Sequence, residues 1–490
     1  MREAGSPLRD NCAAILENDR AQWFILLGAA LVVLFANAAQ SGLHGDALIY
    51  AGEARLIADS GEYATLRFGQ ELNHHGPLLF WLTAGVIKVL GPTPFAATLF
   101  SRLFGVGCVA LTGWLGTYFY GKNTGWLAAL ALVTCYTFAR NTMTLRMDSA
   151  VTFGVLLALA GYFRGEKWWG PPLFYAGVTL GVLAKSLPGF LPLFLAGFHA
   201  LLENNLHAPW KKQSRRWFYW APLLLLPIAW WGYLALRYGP EVFVLYRDDF
   251  LSPDSQPTGI RHLYLFFRIY IVEFAVTYSP WIVFTALGVG KLLRTLRDSN
   301  AERRRRATAG LLLSWIAVVL IASGLKPSQY QRYWLPALPA VAIVTAVAVV
   351  QILRERMPSW IPGTVALLTV AAALAFTCLP LTSAENTQRL SAMNELLNQR
   401  LAPGAPVPIL TLKPHRQNSG FVPPGERGMC RFFFGREPRP ITIAQVDDER
   451  RQGRLTVIVP QEAFGKLAAQ THLAALIQTD DWVLAETESG

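Results

Sequence analysis

The chain has 490 residues, of which 53% are hydrophobic and only 16% are charged, and its formal net charge is +12. Soluble proteins carry about 25% charged residues, so this composition excludes a disordered chain, a coiled coil and an ordinary cytosolic enzyme. The apolar residues form long runs, which indicates a polytopic α-helical membrane protein. In that class an excess of Lys and Arg is typical of cytoplasmic loops, so we expect no nucleic-acid partner.

A transmembrane helix needs about 20 mostly apolar residues, and about eleven runs of this kind follow one another along the chain. They lie near 22–40, 97–119, 125–141, 149–164, 172–186, 188–203, 217–236, 271–290, 309–324, 333–352 and 360–380. The run Pro77–Leu90 is short for a crossing, and we predict that it lies along the membrane interface. Residues 185–190 interrupt one long apolar stretch, which predicts two short helices there, with one kinked helix as the alternative.

The distribution of Lys and Arg supports this arrangement. If Pro77–Leu90 crossed the membrane, the cluster Arg303–Arg306 would lie outside, against the positive-inside rule. The predicted parts are a cytoplasmic N-terminus at 1–21, a transmembrane domain at 22–380 with a first outer loop containing juxtamembrane helices at 41–96 and a second large outer loop at 237–270, and an outer domain at 381–490.

The composition changes after residue 380, where the chain becomes polar and rich in proline and charge. Alternating, strand-like runs lie at Val407–Leu412, Leu455–Val459 and Trp482–Ala485, around a helical stretch near Glu462–Leu476. This pattern predicts a small extracytoplasmic α/β domain.

Ionisable residues gather at the predicted outer ends of the helices. They are Asp46, His74, His75, Arg146, Asp148, Lys185, Lys326 and Arg332. Charged groups at membrane depth are costly and usually face a cavity. Two acids and several cations on one face therefore predict a site for an anionic ligand. The alternative is that these charges sit in solvent or snorkel to the interface.

The two acids each have a plain structural alternative. Asp46 follows the first predicted helix, and Asp148 begins a later one, so either could be a helix N-cap. Arg146 could simply pair with Asp148. The functional interpretation is that Asp46 and Asp148 are catalytic.

The cations and histidines also allow two interpretations. A desolvated Lys185 suits a phosphate partner, with snorkelling as the alternative. Side chains of adjacent histidines point apart, so hydrogen-bonded surface residues are favoured over a metal pair at His74 and His75. Lys326 and Arg332 both precede Tyr333 and could contact the ligand, with interfacial anchoring by Tyr and Trp as the alternative.

Several segments carry motifs in a fixed order. They are Asp46-x-x-x-Tyr50-Ala-x-x-Ala54-Arg55, Ser60-Gly61-Glu62-Tyr63, His75-Gly-Pro-Leu-Leu-Phe-Trp81, Asp148, Gly181-Val-Leu-Ala-Lys185, Ser279-Pro-Trp281 and the stretch Lys326–Pro339. In their order and common side these motifs resemble GT-C membrane glycosyltransferases, such as aminoarabinose lipid A transferases and protein O-mannosyltransferases. The resemblance runs from about residue 20 to 350.

The resemblance implies a GT-C fold and transfer of a single sugar from a polyprenyl-phosphate donor of the undecaprenyl-phosphate type. The acceptor would be a lipid, glycan or protein, as in modification of lipid A or of a cell-envelope glycan. The site would face the periplasm or outside of a multi-pass protein of the bacterial inner membrane, in contact with membrane lipids.

The resemblance also assigns roles to residues. Asp46 matches the base of the family, and Asp148 would be a second acid or a sugar contact. The implied substrate- and phosphate-binding residues are His74, His75, Arg146, Lys185, Lys326, Arg332, Tyr50 and Tyr333. No metal ligands or cofactor are assigned, although a divalent cation is left open.

Two positions depart from the family pattern. Ala47 replaces the second acid of the usual pair, and His75 stands where many relatives have Lys. The first argues against any mechanism that needs two adjacent carboxylates, and the second suggests a phosphate contact that varies with pH. The alternatives are a flippase or transporter of lipid-linked sugars, a sugar polymerase or ligase, and an inactive assembly subunit of the same fold.

Overall fold

A computed structural model describes residues 19–35, 38, 43–64, 67–68, 71–72, 76–203, 215–244, 247, 259–326, 329–353, 384–410, 422 and 424–487. These residues form two compact units. The helical unit is drawn from 1–36, 74–78 and 101–379, and the α/β unit from 37–73, 79–100 and 380–490. The predicted span at 360–380 lies outside the described residues.

Helices account for most of the described chain up to residue 353. In chain order they are α1 (Asp19–Phe35), α2 (Asp46–Ser60), α3 (Leu78–Leu90), α4 (Pro94–Tyr120), α5 (Lys122–Val133), α6 (Tyr136–Thr142), α7 (Met147–Phe163), α8 (Gly170–Lys185), α9 (Leu191–Leu202), α10 (Arg215–Tyr238), α11 (Ile260–Thr277), α12 (Ile282–Arg297), α13 (Arg303–Leu325) and α14 (Leu338–Leu353). Short 3₁₀ turns, Leu187–Phe190 and Gln331–Ala337, precede α9 and α14.

Four of the described helices are long and apolar enough to cross a membrane: α4, α10, α13 and the helical segment Gln331–Ile352. The number rises to six if each of two sharply bent pairs, α6 with α7 and α11 with α12, is one span. The predicted span at 125–141 is divided into α5 and α6 at Thr134 and Cys135. The described chain is therefore a helical protein with several apolar helices. α3 has only 13 residues, in agreement with the short helix predicted at Pro77–Leu90.

Helices α7 and α8 pack so closely that glycine is required between them. A Cβ atom on Gly154 would lie 2.7 Å from the carbonyl oxygen of Gly177, and one on Gly161 would lie 2.3 Å from the backbone nitrogen of Phe174. Small residues at such contacts let apolar helices approach backbone to backbone. This contact aligns the start of α7 with the end of α8.

The break predicted at 185–190 is confirmed. Ser186 has a φ of 55°, a left-handed conformation that ends α8. The chain then reverses, because a Cβ on Gly189 would lie 2.1 Å from the backbone nitrogen of Val182. A single kinked helix is excluded, since Gly189 lies back against the helix that it follows.

Arg102 is fully buried in α4 and stabilises two helix ends. Its guanidinium donates to the carbonyl oxygen of Leu34 in the last turn of α1, and to that of Met143 (2.8 Å) just after α6. The last carbonyls of a helix have no partner within the helix, and a cation there also suits the helix dipole. One side chain thus satisfies carbonyls from two separate helices.

The α/β unit contains a five-stranded mixed sheet. The hairpin β1 (Arg67–Phe68) and β2 (Glu71–Leu72) comes first in the chain. The later elements are α15 (Ala384–Arg400), β3 (Val407–Leu410), α16 (Pro424–Met429), β4 (Pro438–Ile441), α17 (Ile443–Gln452), β5 (Thr456–Pro460), α18 (Gln461–Thr471), β6 (Leu473–Gln478) and β7 (Trp482–Thr487).

The order of strands in this sheet is β4-β3-β5-β7-β6. β3 is parallel to β4 and β5, whereas β7 is antiparallel to β5 and β6. Val457 and Val459 of β5 pack with Val483 and Ala485 of β7 in a buried apolar core. Strands β3, β5 and β7 lie at the three runs in which the sequence alternates as strands do.

Candidate functional site

Asp148 and Lys185 form a buried ion pair between α7 and α8. Asp148 is the second residue of α7, and Lys185 is the last residue of α8. Lys185 Nζ donates to Asp148 Oδ1 over 2.6 Å. Asp148 is only 5% exposed, and a carboxylate removed from water is retained only when it is paired. The residue at the N-cap position is Arg146, so the capping alternative for Asp148 is wrong.

Three cations converge on the ring of Tyr333. Lys185 Nζ and Lys326 Nζ each lie 5.0 Å from the ring centroid, and Arg332 Cζ lies 5.5 Å from it. Cations at such distances are attracted to the face of an aromatic ring. The ring thus offsets part of the repulsion among three like charges.

The three cations come from three different elements. Lys326 directly follows α13, Arg332 and Tyr333 lie in the 3₁₀ turn before α14, and Lys185 ends α8. Arg332 Cζ also lies 4.2 Å from the centroid of the Tyr330 ring. The helix ends therefore meet at one place within the helical unit.

Arg146 adds a further positive charge. Its backbone N–H donates to Ser101 Oγ on α4 over 3.2 Å. Arg146 and Arg332 both interact electrostatically with the Asp148 carboxylate. The structure thus brings together six of the predicted site residues, which we call the Tyr333 cluster: Arg146, Asp148, Lys185, Lys326, Arg332 and Tyr333.

The segment after the two histidines contacts the end of α8. His74 and His75 lie outside the described residues. Gly76 is so close to α8 that a Cβ there would lie 1.9 Å from the carbonyl oxygen of Leu183. This contact lies two residues before Lys185, which explains why a glycine follows His75.

Asp46 and Tyr50 belong to the α/β unit. Asp46 is the first residue of α2, and the N-cap position is occupied by Gly45 with a φ of 53°, so Asp46 is not the cap. An acid in the first turn suits the positive end of the helix dipole. Tyr50 follows one turn later, and its ring packs edge-on against Phe80 with centroids 5.6 Å apart.

A second buried ion pair lies on α2 itself and was not predicted from the sequence. Arg431 Nη1 donates to Glu53 Oε2 over 3.0 Å, and the two residues are 8% and 1% exposed. Arg431 also binds Glu437 through two nitrogens, over 2.8 and 3.2 Å. The available signal was a glutamate among small residues in Ala51-Gly-Glu-Ala54, which is unusual for a solvated helix face.

Within the part of the chain that the structure describes, no three His, Cys, Asp or Glu side chains lie close enough together to hold a metal ion.

The carboxyl group of Glu426 has a shifted pKa. Burial raises the pKa of Glu426 from an ordinary value of 4.5 to about 7. This residue lies in α16, on the segment that contains Arg431.

Comparison with known proteins defines the class of the fold. Residues 74–233 match the family described as dolichyl-phosphate-mannose-protein mannosyltransferase. The crystal structure of ArnT from Cupriavidus metallidurans bound to undecaprenyl phosphate is similar with a TM-score of 0.72 at 14% identity, over 96% of this chain and 99% of that one. Its apo state gives a TM-score of 0.71 at 15% identity. The chain therefore has the fold of a GT-C membrane protein.

Two further proteins are similar over part of their length. The Archaeoglobus fulgidus oligosaccharyltransferase tethered with an acceptor peptide gives a TM-score of 0.53 at 13% identity, over 93% of this chain and 71% of that one. An uncharacterized protein of Aquifex aeolicus (strain VF5) is 25% identical over 307 residues, which are 61% of this chain and 57% of the relative. The match thus spans little more than half of that relative. The chain resembles GT-C superfamily glycosyltransferases, in particular ArnT and the mannosyltransferases.

Proposed function

We propose that this protein is a membrane glycosyltransferase that moves one sugar from a polyprenyl-phosphate donor to a lipid, glycan or protein acceptor. The likeness to ArnT bound to undecaprenyl phosphate and the mannosyltransferase match at 74–233 support the class of reaction. The observation that carries the proposal is the convergence of Lys185, Lys326 and Arg332 on Tyr333.

The Tyr333 cluster has the chemistry that a departing phosphate needs. A glycosyl phosphate gains negative charge as its bond to the sugar breaks, and preorganised cations stabilise that charge. An ammonium group has three donors, and one donor of Lys185 is used by Asp148. We assign Asp148 the role of orienting Lys185, so that the other donors of Lys185 point to the phosphate.

Transfer of the sugar needs no reactant other than the donor and the acceptor. The bond between the anomeric carbon and the phosphate oxygen breaks, and its electron pair stays on the phosphate. The acceptor oxygen forms the new bond to the anomeric carbon, and its proton passes to a carboxylate, for which we propose Asp46. An acceptor that is itself an ionised phosphate has no such proton, and Asp46 would then not act as a base.

The orientation and surroundings of the site are part of this proposal. We place it at the periplasmic or outer face of a bacterial inner membrane, in a protein of about eleven spans, with residues 381–490 outside. We propose His74, His75 and Tyr50 as further substrate contacts. A divalent cation is left open, and the donor tail would stay in the lipid.

Turnover of the donor tests the function. Purified protein in lipid would be offered a panel of radiolabelled polyprenyl-phosphate sugars, alongside Asp46→Asn and Lys185→Met. Lys167→Met is the matched control, because Lys167 is an exposed lysine in the turn that precedes α8. Release of polyprenyl phosphate by wild type and Lys167→Met, but not by the other two variants, is the expected result.

Other results would point elsewhere. Equal release by wild type and Asp46→Asn would remove Asp46 from the role of base but keep the reaction. Movement of labelled lipid across a vesicle membrane without release of the sugar would identify a flippase. No release and no movement, in protein shown to be folded, would favour an inactive assembly subunit.

A further inference from the structure

The segment Pro424–Phe434, which we call the docking segment, packs directly on α2 within the α/β unit. The contact is made backbone to backbone at two glycines. A Cβ on Gly52 would lie 2.8 Å from the carbonyl oxygen of Gly428, and one on Gly428 would lie 2.6 Å from the carbonyl oxygen of Leu48. Neither position accepts a side chain, so the height of the docking segment along α2 is set by these two residues.

An ion pair also holds the docking segment on α2. Arg431 of the docking segment reaches Glu53 on α2 over 3.0 Å, and both side chains are buried. The opposite edge of the guanidinium is held by Glu437. A planar guanidinium between two carboxylates has a defined orientation, which a lysine cannot reproduce. Buried ion pairs add little net stability, but they can specify one packing register.

A second contact lies beside the first, two residues further along α2. Arg55 Nη1 donates to the carbonyl oxygen of Phe432 over 2.6 Å. Gly435 lies against the same side chain, since a Cβ there would lie 2.5 Å from Arg55 Nη2. The two arginines thus cross between α2 and the docking segment in opposite directions, which resists rotation of α2.

The rotation of α2 decides where Asp46 faces. With about 3.6 residues per turn, Asp46 and Glu53 are nearly two turns apart and lie on nearly the same face of the helix. A slip of one residue would turn that face by roughly 100°. A side chain that binds Glu53, as Arg431 does, therefore also sets the direction of Asp46.

We infer that Arg431 is a positioning residue, which through Glu53 holds α2 in the register that presents Asp46 to the reaction. This inference rests on the proposed function of Asp46 as base. It makes the docking segment, which follows Asp46 by almost 400 residues in the chain, part of the catalytic arrangement rather than an accessory to it.

The test compares variants of the contact with matched variants elsewhere in the same unit. Arg431→Lys is paired with Arg439→Lys, because Arg439 binds Glu449 with the same two-pronged geometry, over 2.6 and 2.8 Å. Gly428→Ala is paired with Gly465→Ala, because a Cβ on Gly465 meets nothing within 4 Å. For each full-length variant, kcat and KM would be measured for the donor, with hydrogen exchange of residues 46–60.

Arg431→Lys and Gly428→Ala are expected to lower kcat about 10-fold to 100-fold, as misplacement of a reacting group by about 1 Å does. KM for the donor should change by less than about twofold, since in the proposed function Asp46 takes the acceptor's proton and does not hold the donor phosphate. Amides of α2 should exchange faster in both variants. Neither control should change kcat or this exchange.

Unchanged kcat in folded Arg431→Lys and Gly428→Ala would overturn the inference, as would a fall in kcat that only matches a smaller folded fraction. Donor turnover by wild type separates the two proposals. If wild type released no polyprenyl phosphate, the proposed function would fail and the catalytic role of Arg431 with it. Exchange at 46–60 would still decide whether Arg431 holds α2.

Discussion

The two buried ion pairs of this protein differ in their surroundings. Asp148 is one carboxylate that interacts with three cations, Lys185, Arg332 and Arg146. Lys185 and Arg332 also share the ring of Tyr333 with a further cation, Lys326. Arg431 is instead one cation between two carboxylates, Glu53 and Glu437. The first arrangement gathers positive charge on helix ends, which suits an anionic ligand. The second satisfies its cation internally and joins two segments that are far apart in the chain.

This difference shows that a buried ion pair does not define its own role. Both pairs join partners distant in sequence, and both carboxylates are almost fully buried. What separates them is the charge of the next neighbours, because extra cations attract a ligand whereas a second carboxylate completes the pair. Variants that remove one partner from each pair test whether the distinction holds.

The largest effect is expected for Lys185→Met. This change removes the proposed phosphate contact and leaves Asp148 buried without its hydrogen-bonded partner. Breaking a buried pair from one side costs about 3–5 kcal/mol of stability, and we expect donor turnover to fall at least about 100-fold. Thermal unfolding in detergent and initial rates of donor turnover measure the two effects separately.

A double variant sharpens this result. Asp148→Asn combined with Lys185→Met removes both charges and should regain most of the lost stability, since no unpaired carboxylate is left. Its turnover should stay low. If turnover returned together with stability, Lys185 would serve only to neutralise Asp148, and the phosphate role would be wrong.

The next largest loss of stability is expected at the ion pair between Arg431 and Glu53. Glu53→Gln should lower the free energy of unfolding by about 2 kcal/mol, because a buried charge-assisted hydrogen bond is lost. Glu437→Gln should lower it by less than about 1 kcal/mol, because Glu437 is 55% exposed and its bond to Arg431 is screened by water. Denaturant unfolding of the two variants measures this ratio, and equal losses would contradict it.

A smaller effect is expected for the aromatic face of the Tyr333 cluster. Tyr333→Leu removes a ring shared by three cations, each contact being worth about 0.5–1 kcal/mol, so we expect KM for the donor to rise about tenfold. Tyr330→Leu is the matched control, because the Tyr330 ring faces Arg332. It should raise KM only about threefold, and steady-state kinetics that showed the reverse order would place the phosphate near Tyr330 instead.

A further effect, which depends on pH, is expected from Glu426. Its pKa of about 7 lies above the ordinary value of 4.5, so the folded state binds this proton more tightly than the unfolded state does. The resulting stabilisation is complete below about pH 4.5 and is lost as the pH rises through about 7. We expect thermal stability to fall between about pH 5 and 8, and to fall less in Glu426→Gln. Glu462→Gln, at an exposed position, should behave as wild type, and parallel curves for all three proteins would contradict the assignment.

Local pattern was enough to predict much of the fold. The left-handed Ser186 ends α8 where Lys185-Ser-Leu-Pro-Gly-Phe190 interrupts the apolar run, and β5 lies where Leu455–Val459 alternates. The division of 125–141 into α5 and α6 was not predictable, because Thr134 and Cys135 are compatible with a continuous helix. Nor was the capping position of α7, which Arg146 takes in place of Asp148.

The sequence by itself determined the class of the molecule, the approximate helices and strands, and a set of charged residues that share helix ends. These follow from hydrophobicity and local periodicity, which act over a few residues. Only the tertiary structure decided that Asp148 pairs with Lys185, that three cations meet at Tyr333, and that Arg431 reaches Glu53. Ion pairing acts at short range and has no fixed spacing in the chain, so it is set by which helices pack together. That packing depends here on glycine contacts, of which Gly154 with Gly177 joins consecutive helices and Gly52 with Gly428 joins segments far apart in the chain.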